Sequence, residues 1–257
     1  MFAIERLNKI KEILLKEKRV DVIELSQLFS VTEVTIRRDL DKLEKEGFAI
    51  KTYGGAVLNE NIFQQSSSFE YEEKDNIEEN KMIGKIAAEM VEDNEAIYLS
   101  PGRACFELTR HLKSKNLTVV TNDLAIAYEL KNKPGLKVIV TGGTLIHSTT
   151  TLVGEFTLQT LNGIYINKAF INVKGVDFDA GYTLGSKEEI MIIEKIREIS
   201  KEFIIMADYT KFNRTSFAKL GNLTMAKKII TNKQVPPEYK KFFFEKGIKL
   251  YTTFEFK

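Results

Sequence analysis

Two threonines and two arginines lie close together near the amino terminus, and their types suit contact with a polyanion. Thr32 and Thr35 precede Arg37 and Arg38, with Glu33 between the threonines. Hydroxyl groups at a helix start can hold a phosphate together with the free backbone N–H groups there. An arginine one or two turns further can reach a guanine edge with its planar, two-pronged guanidinium. The spacing therefore predicts a helix that contacts DNA through these five residues.

The alternative is that the arginine pair is a solvated face, with Arg38 paired to Asp41. The elements predicted around the pair favour DNA binding, because three helices and a two-stranded ribbon make a winged helix. The predicted elements are helices at 2–16 and 22–29, a third helix capped by Thr32 that ends at Gly47, and strands at 48–53 and 56–58. In the first of these strands, Lys51 and Tyr53 can touch the DNA backbone or the minor groove.

Apolar residues at helical spacing indicate which faces of these helices are buried. Ile23, Leu25 and Leu28 are expected to point inward from the second helix, and Val34 and Ile36 to pack beneath the third. Net charge gives little support to a polyanion partner: the chain carries +2, and its first 58 residues hold 11 basic against 10 acidic side chains. DNA binding here must depend on where the cations are placed.

Several short strings of the first sixty residues match a known pattern. They are Glu5-Arg6, the segment 22–26, the string Val31-Thr-Glu-Val-Thr-Ile-Arg-Arg-Asp-Leu40, and the wing Tyr53-Gly-Gly-Ala56. Together they resemble DeoR-type transcriptional regulators. In that family the wing usually begins with histidine, so Tyr53 is a departure, although its hydroxyl can still bind a phosphate.

Composition and length predict a globular chain with two domains. Of the 257 residues, 43% are hydrophobic and 29% charged. No apolar run reaches the length of a membrane span, and the amino terminus lacks a signal peptide's apolar core. Cys105 is the single cysteine, which excludes an intrachain disulfide. We expect a cytoplasmic protein without a membrane partner.

The chain is expected to divide into three segments. Residues 1–58 form the winged helix-turn-helix, 59–80 a polar and acidic linker, and 81–257 an α/β effector-sensing domain. Six carboxylates lie between residues 70 and 79. They fit a solvated linker, and alternatively the beginning of the second domain's first helix.

Beyond residue 81, apolar runs alternate with helical segments. The predicted strands lie at 96–100, 117–121, 137–141, 168–173, 202–207 and 228–231, the helices at 104–113, 123–132 and 188–200, and a last helix and strand near 242–251. This order predicts a doubly wound, mostly parallel sheet with helices on both faces. Such sheets bind ligands at the carboxyl ends of their strands, where polar and glycine residues collect in this sequence.

The same family resemblance extends over this domain. Its motifs are 117–122, 140–143, 153–154, 169–170, 175–177, Gly181, 188–189 and 207–212. The resemblance implies a fold similar to sugar-phosphate isomerases such as ribose-5-phosphate isomerase, and release of DNA on binding a phosphorylated sugar or related metabolite. Two departures stand out. The family's Asp-x-Gly-Thr-Thr loop is Ser100-Pro-Gly-Arg-Ala104 here, and Ile193 stands where the family tends to have lysine.

The strand ends and the resemblance together give a set of predicted effector-binding residues. They are Ser100, Gly102, Arg103, Ala104, Thr121, Asn122, Gly142, Gly143, Gly175, Asp177, Glu188, Asp208 and Lys211. Each of these residues alone is of a type that is common in turns without any ligand. In the altered loop, Arg103 can replace the missing hydroxyls with a charge-assisted contact to a phosphate.

The sequence thus predicts a repressor of a carbohydrate or polyol operon that a phosphorylated metabolite relieves, and no enzyme. It is expected to act on double-stranded operator DNA as a homodimer or homotetramer. No cofactor or metal site is expected, because His111 and His147 have no second ligand at suitable spacing. Two alternatives stay open. The second domain acts mainly in oligomerisation, or it is a fused isomerase using the carboxylates at 177, 188, 189 and 208 with Lys211.

Overall fold

The computed structural model describes residues 3–45, 47–59, 76–147 and 149–252. The chain divides into two compact units, Met1–Ser68 and Phe69–Lys257. Most of the predicted linker, together with the predicted helix start at Phe2, lies outside the described residues. Within the described ranges, no helix is both long and apolar enough to cross a membrane.

The amino-terminal unit is the predicted winged helix with one additional strand. Its elements are α1 (Ala3–Glu17), β1 (Arg19–Asp21), α2 (Val22–Phe29), α3 (Glu33–Lys45), β2 (Ala49–Lys51) and β3 (Gly55–Leu58). The strands form an antiparallel sheet in the order β1-β3-β2. The sequence interpretation missed β1, because three residues are too few for an alternating pattern and their pairing partners are distant in the chain.

Close backbone approach in this sheet requires a glycine. A Cβ atom at Gly55 would lie 1.9 Å from the carbonyl oxygen of Val20, across the β1–β3 pairing. The Gly54-Gly55 pair, predicted as a turn, therefore continues as a strand from its second residue. There the missing side chain allows β1 to join the ribbon.

The helices pack on a shared apolar core, but three residues predicted to face it do not. Ile36, Leu40 and Leu43 of α3 are fully buried, whereas Val34 is 60% exposed. Two residues along a helix correspond to about 200° of rotation, so Val34 and Ile36 point to opposite sides. On α2 the buried stripe is Val22, Leu25 and Phe29, which leaves the predicted core residues Ile23 and Leu28 exposed.

A buried ion pair joins α1 to α3. The Nε atom of Arg6 lies 2.6 Å from Oδ2 of Asp39, and the two residues are only 7% and 2% exposed. This contact gives a structural reason for both the Glu5-Arg6 motif and the aspartate of the Arg-Arg-Asp string. A buried arginine without its carboxylate would carry an uncompensated charge.

The carboxyl-terminal unit is built on a seven-stranded sheet. Its helices are α4 (Ile77–Glu89), α5 (Arg103–His111), α6 (Leu124–Leu130), α7 (Glu155–Thr160), α8 (Lys187–Ile199) and α9 (Pro237–Glu245). Its strands are β4 (Ala96–Leu99), β5 (Leu117–Thr121), β6 (Leu136–Val140), β7 (Thr144–Leu145), β8 (Leu152–Val153), β9 (Ile166–Asn172), β10 (Gly175–Asp177), β11 (Gly181–Leu184), β12 (Ser200–Met206), β13 (Ala218–Gly221), β14 (Lys228–Ile230) and β15 (Lys249–Tyr251). Because α4 begins at Ile77, the last residues of the predicted linker segment are helical.

The main sheet has the order β15-β14-β12-β9-β4-β5-β6, and every neighbouring pair is parallel. Helices cover both faces, as the doubly wound prediction requires. In β9, Ala169 and Ile171 pack in the cluster that includes α8 and α9, while Phe170 packs in the cluster of α4, α5 and α6. The strand order reverses between β4 and β9, which creates a crevice at the carboxyl ends of the strands.

A small antiparallel sheet, β10-β11-β13, was missed by the sequence interpretation. Its residues Val176, Tyr182 and Leu220 join the same cluster as α8 and α9. The segment Gly175–Asp177, predicted as a ligand-binding loop, is the first strand of this sheet. Strands of three or four residues carry no alternation that would separate them from a loop.

The buried pair between α1 and α3 leads to a stability prediction. Asp39→Ala should lower the free energy of unfolding of the amino-terminal unit by about 3–5 kcal/mol, because Arg6 stays buried without its partner. Urea unfolding of the full chain followed by circular dichroism measures the loss. Hydrogen exchange in peptides from residues 3–45 assigns it to this unit.

The matched control removes an exposed ion pair from the same helix. Arg37→Ala breaks the contact of Arg37 with Glu33, in which both side chains are about half exposed, and should cost less than about 1 kcal/mol. Equal losses in the two variants would contradict the structural role given to Asp39.

Candidate functional site

The first turns of α3 present the residues predicted to contact DNA. Glu33, Arg37 and Arg38 are exposed, as is Thr32 just before the helix, while Thr35 is half-buried. The Oγ1 atoms of Thr32 and Thr35 lie 3.0 Å apart. The predicted cap is long, with 3.4 Å between the Thr35 backbone nitrogen and Thr32 Oγ1. The hydroxyls therefore form a pair at the helix start that a phosphate can reach.

The two arginines differ in their surroundings. Arg37 Nη2 lies 3.3 Å from Oε2 of Glu33, one turn earlier on the helix. Arg38 forms no ion pair with any residue that the structure describes. The alternative pairing of Arg38 with Asp41 is absent, because Asp41 pairs with Lys51 instead. Arg38 is thus the predicted base-reading side chain with its guanidinium available.

The wing places its two predicted contacts differently. Lys51 on β2 is hydrogen-bonded to Asp41, which raises the pKa of Lys51 and lowers that of the Asp41 carboxyl. A DNA phosphate would have to compete with this carboxylate for the ammonium group. Tyr53 lies in the turn between β2 and β3 and is fully exposed, so its hydroxyl is open to a partner.

A cavity opens in the carboxyl-terminal unit where the strand order reverses, and its empty space is about 580 Å³ when the solvent at its mouth is included. It lies beside the ends of β4, β9 and β12, which is where the fold predicts a ligand. Its lining consists of Asn80, Ser100, Pro101, Gly102, Arg103, Asn122, Asn172, Val173, Lys174, Leu184, Glu189, Ile192, Ile193, Met206, Ala207, Asp208 and Lys211. Ile193, which departs from the family's lysine, is therefore part of the cavity wall.

Six of the predicted effector residues line this cavity: Ser100, Gly102, Arg103, Asn122, Asp208 and Lys211. The remaining seven do not: Ala104, Thr121, Gly142, Gly143, Gly175, Asp177 and Glu188. The prediction also omitted four polar residues of the lining, Asn80, Asn172, Lys174 and Glu189. The predicted set and the cavity lining therefore overlap at the same edge of the sheet and differ in many of their side chains.

Three of the seven are used in packing near the strand ends. Ala104 is buried in the core under α5. The Thr121 hydroxyl donates a hydrogen bond to the carbonyl of Leu99 and accepts one from the backbone of Asp123, so it joins β4 to β5. Gly175 lies in β10, where a Cβ atom would come within 2.4 Å of the Arg214 carbonyl oxygen.

The other four predicted residues lie outside the cavity lining for different local reasons. The Asp177 carboxylate accepts hydrogen bonds from the backbone of residues 179 and 180, which closes the turn after β10. The carbonyl of Gly142 accepts from the Thr157 hydroxyl, and Gly143 packs against the same hydroxyl. Glu188 is exposed, whereas Glu189 lines the cavity. One residue along a helix turns the side chain by about 100°, which separates the two glutamates.

Arg103 reaches the cavity with its charge already compensated. Its Nη2 and Nε atoms lie 2.9 and 3.0 Å from Oε1 of Glu107, whose side chain is 1% exposed. Arg110 approaches the same carboxylate at 3.4 Å, and both guanidinium groups lie over the ring of Phe106. The structure therefore assigns Arg103 a partner at i+4 that the phosphate-binding interpretation did not consider.

Asn172 offers an unused donor at the cavity wall. Its Nδ2 atom is buried and has no hydrogen-bond partner among the described residues. Its side chain packs so closely on Gly102 that a Cβ there would lie 2.6 Å from Asn172 Cγ. Gly102 precedes α5, whose first backbone N–H groups receive no side-chain cap. An unpaired amide donor beside an uncapped helix start favours a ligand with oxygen acceptors.

Other polar side chains of the cavity are held by the protein. Asn122 accepts a hydrogen bond from the buried Tyr98 hydroxyl at 2.6 Å and donates one to the carbonyl of Leu152. Asn80 donates to the carbonyl of Asn76. The Asp208 carboxylate accepts from the backbone nitrogen of Thr210 at 2.9 Å. These groups present fixed oxygen and nitrogen atoms, which suits recognition of hydroxyl groups.

The chemistry beside the cavity does not indicate a reactive thiol or a metal centre. Burial raises the pKa of Cys105 to about 12, so the thiol stays protonated and donates to the carbonyl of Phe170. Across the described ranges, no group of three or more histidine, cysteine, aspartate or glutamate side chains could hold a metal ion.

A winged helix with a polar recognition face, followed by an α/β unit with a ligand cavity, is the organisation of a ligand-responsive transcription regulator. Residues 6–62 match the model of the DeoR-like helix-turn-helix domain, and residues 75–233 match that of the DeoR C-terminal sensor domain. The chain belongs to the DeoR family of DNA-binding transcription regulators.

Individual relatives agree over nearly the full length. The chain is 34% identical to the uncharacterised HTH-type transcriptional regulator YulB of Bacillus subtilis, covering 97% of this chain and 96% of that protein. It is 29% identical to the HTH-type transcriptional repressor GlcR of the same organism, covering 98% and 97%. Among solved structures, ribose 5-phosphate isomerase A from Neisseria gonorrhoeae aligns over 52% of each chain, with 15% identity and a TM-score of 0.39.

The paired arginine at the cavity leads to a second prediction. Arg103→Ala should destabilise the carboxyl-terminal unit by about 2–4 kcal/mol, because Glu107 stays buried with only the weaker contact to Arg110. Thermal unfolding and hydrogen exchange in α5 measure the effect. Arg103→Ala combined with Glu107→Ala should recover part of the loss, since both charges are then removed.

The control for this prediction is Lys81→Ala, which removes the exposed pair of Lys81 with Glu78 on α4. It should change stability little. If Arg103→Ala loses no more stability than Lys81→Ala, the guanidinium of Arg103 is not needed to compensate Glu107 and can serve a ligand instead.

Proposed function

We propose that this protein represses an operon of carbohydrate or polyol metabolism and releases its operator when a phosphorylated sugar or related metabolite binds the cavity. The observation that carries the effector part is the unpaired Nδ2 atom of Asn172 beside the uncapped start of α5. Phosphate oxygens accept hydrogen bonds from such donors and are stabilised at helix starts. Lys174 and Lys211, both in the lining, supply positive charge.

The remainder of the cavity fits the sugar part of such a ligand. Asn80, Asn122 and Asp208 present amide and carboxylate atoms, which can pair with hydroxyl groups in either direction. Leu184 and Ile192 form an apolar wall for the carbon skeleton. This combination of a few placed polar groups with apolar surface is typical of small-molecule sites.

DNA recognition is proposed for α3 and the wing. Arg38 is the principal base contact, because it is exposed and without an ion pair among the described residues. Thr32 and Thr35 position α3 on a phosphate, and Tyr53 reaches the flanking backbone. One winged helix buries too little surface for useful specificity, so the protein acts as at least a dimer on a two-fold operator.

Repression is supported by GlcR, a relative named as a transcriptional repressor, which aligns over nearly the whole chain. The isomerase alternative keeps only part of its proposed set in the cavity, since Glu189, Asp208 and Lys211 line it whereas Asp177 and Glu188 do not. Against it, the relatives that align over nearly the whole chain are named transcription regulators. The alternative that the unit acts mainly in oligomerisation predicts that no metabolite stabilises the protein.

Arg38→Ala should weaken operator binding by about 1–3 kcal/mol, the typical value of one bidentate contact to guanine. The operator is obtained by selecting duplexes from a random library with the full-length protein, and affinity is measured by fluorescence anisotropy. Arg37→Ala should weaken binding as well, and both variants should keep their circular dichroism spectra.

Lys16→Ala is the control for charge, because it removes an exposed cation from α1 and should change affinity little. Unchanged operator affinity in both arginine variants would remove α3 from the DNA interface.

A phosphorylated effector should raise the unfolding temperature of the full chain. Saturation at a hundred times the dissociation constant corresponds to about 2.7 kcal/mol of stabilisation. The measurement is a thermal-shift screen of sugar phosphates and polyol phosphates, with inorganic phosphate alongside, and a hit should also release the selected operator duplex. If no compound of the panel raises the unfolding temperature, the effector part of the proposal is contradicted and the oligomerisation alternative is favoured.

Substitutions of one asparagine and of two neighbouring glutamates test where the effector binds. Asn172→Ala removes the unpaired donor and should abolish most of the thermal shift, and Glu189→Gln should alter it. Glu188→Gln, one residue away but outside the cavity, should respond like the wild type. A full response of Asn172→Ala would place the ligand elsewhere.

A further inference from the structure

One apolar side chain stands on the face of α3 that is proposed to contact DNA. Val34 is 60% exposed, whereas the other three aliphatic residues of α3, Ile36, Leu40 and Leu43, are at most 1% exposed. The sequence pattern had assigned Val34 to the core, so its exposure is a finding of the structure.

The residues that follow Val34 on the same face of α3 are charged. Residues three and four positions apart share a face of a helix, so Val34 lies beside Arg37 and Arg38. Glu33 precedes it and is paired with Arg37 at 3.3 Å. Val34 is therefore an aliphatic group within the charged surface at the start of α3.

Isolated exposed aliphatic residues are common on proteins, and exposure alone would not indicate a role. The position of Val34 supplies the argument, because the amino-terminal residues of a recognition helix are those that approach base edges in the major groove. The apolar group that base pairs present there is the 5-methyl group of thymine.

We propose that Val34 determines operator specificity by packing against the 5-methyl group of a thymine in each half-site. This inference rests on the proposed placement of α3 in the major groove. Val34 and Arg38 then recognise different base pairs: the arginine donates hydrogen bonds to a guanine, and the valine excludes water from a thymine methyl. Neither residue substitutes for the other.

The test removes only the methyl group from the DNA. Each thymine of the selected operator half-site is replaced in turn by deoxyuridine, in both half-sites together, and the dissociation constant is measured for the wild type and for Val34→Ala. For the wild type, one replacement should weaken binding by about four-fold per half-site, the value for one buried methyl-sized group. For Val34→Ala, the same replacement should have little effect.

The variants are chosen so that folding does not obscure the result. Alanine has a higher helix propensity than valine, and the site is exposed, so Val34→Ala should keep α3 intact. Leu15→Ala is the matched control, because Leu15 is an exposed aliphatic residue of α1. This variant should show the same deoxyuridine penalty as the wild type.

Two results would overturn the proposal: no thymine whose methyl group matters to the wild type, or an equal penalty in the wild type and Val34→Ala at every thymine. Arg38→Ala separates this failure from a failure of the proposed interface. If Arg38→Ala binds weakly while Val34→Ala keeps the wild-type deoxyuridine profile, α3 lies in the groove and only the role of Val34 is wrong. If Arg38→Ala binds normally, the placement of α3 and this inference fail together.

Discussion

Parallel pairing of β4 with two neighbours, β5 on one side and β9 on the other, is the constraint on which the carboxyl-terminal unit depends. Because the chain continues from β4 to β5 on one side and from β9 to β12 on the other, the loops after β4 and β9 separate and a crevice opens between them. Polar contacts then fix the edges of the crevice. The Ser100 hydroxyl accepts from the backbone of Asn172, and the Tyr98 hydroxyl donates to Asn122. The cavity thus follows from strand order, and its chemistry from a few side chains at strand ends.

Long or strongly periodic elements could be predicted from sequence, and so could some short strands such as β2 and β14, but other short strands could not. β5 and α2 were predicted with the observed bounds, because an unbroken apolar run and a helical stripe are local signals. β1, β10 and β11 were missed because strands of three or four residues are stabilised by pairing with residues far away in the chain. Val34 was assigned to the wrong side for a related reason, since the position of the core around α3 depends on how the other helices pack.

The site shows the same division between local and tertiary information. The carboxyl ends of the main strands were predicted to within one residue, so residues such as Ser100 and Asp208 were predicted in the lining that the structure gives. Asn172 was missed because its significance comes from an unpaired Nδ2 atom and from close packing on Gly102, which no pattern along the chain records. Arg103 was different: Glu107 four residues later was a visible sign of an ion pair. The i, i+4 spacing alone therefore predicts the pair that the structure shows.

The ion pairs of the amino-terminal unit also bear on how the protein would search a genome. The first 58 residues hold 11 basic and 10 acidic side chains, and Arg6, Arg37 and Lys51 each have a carboxylate partner, so this unit has little net positive charge with which to displace the counterions that surround a duplex. Release of those counterions provides most of the sequence-independent affinity of DNA-binding proteins and makes that affinity depend on salt. A nearly neutral winged helix would therefore hold non-operator DNA weakly. Its residence on DNA would depend on the match between base edges and a handful of side chains, and ionic strength would change that residence comparatively little.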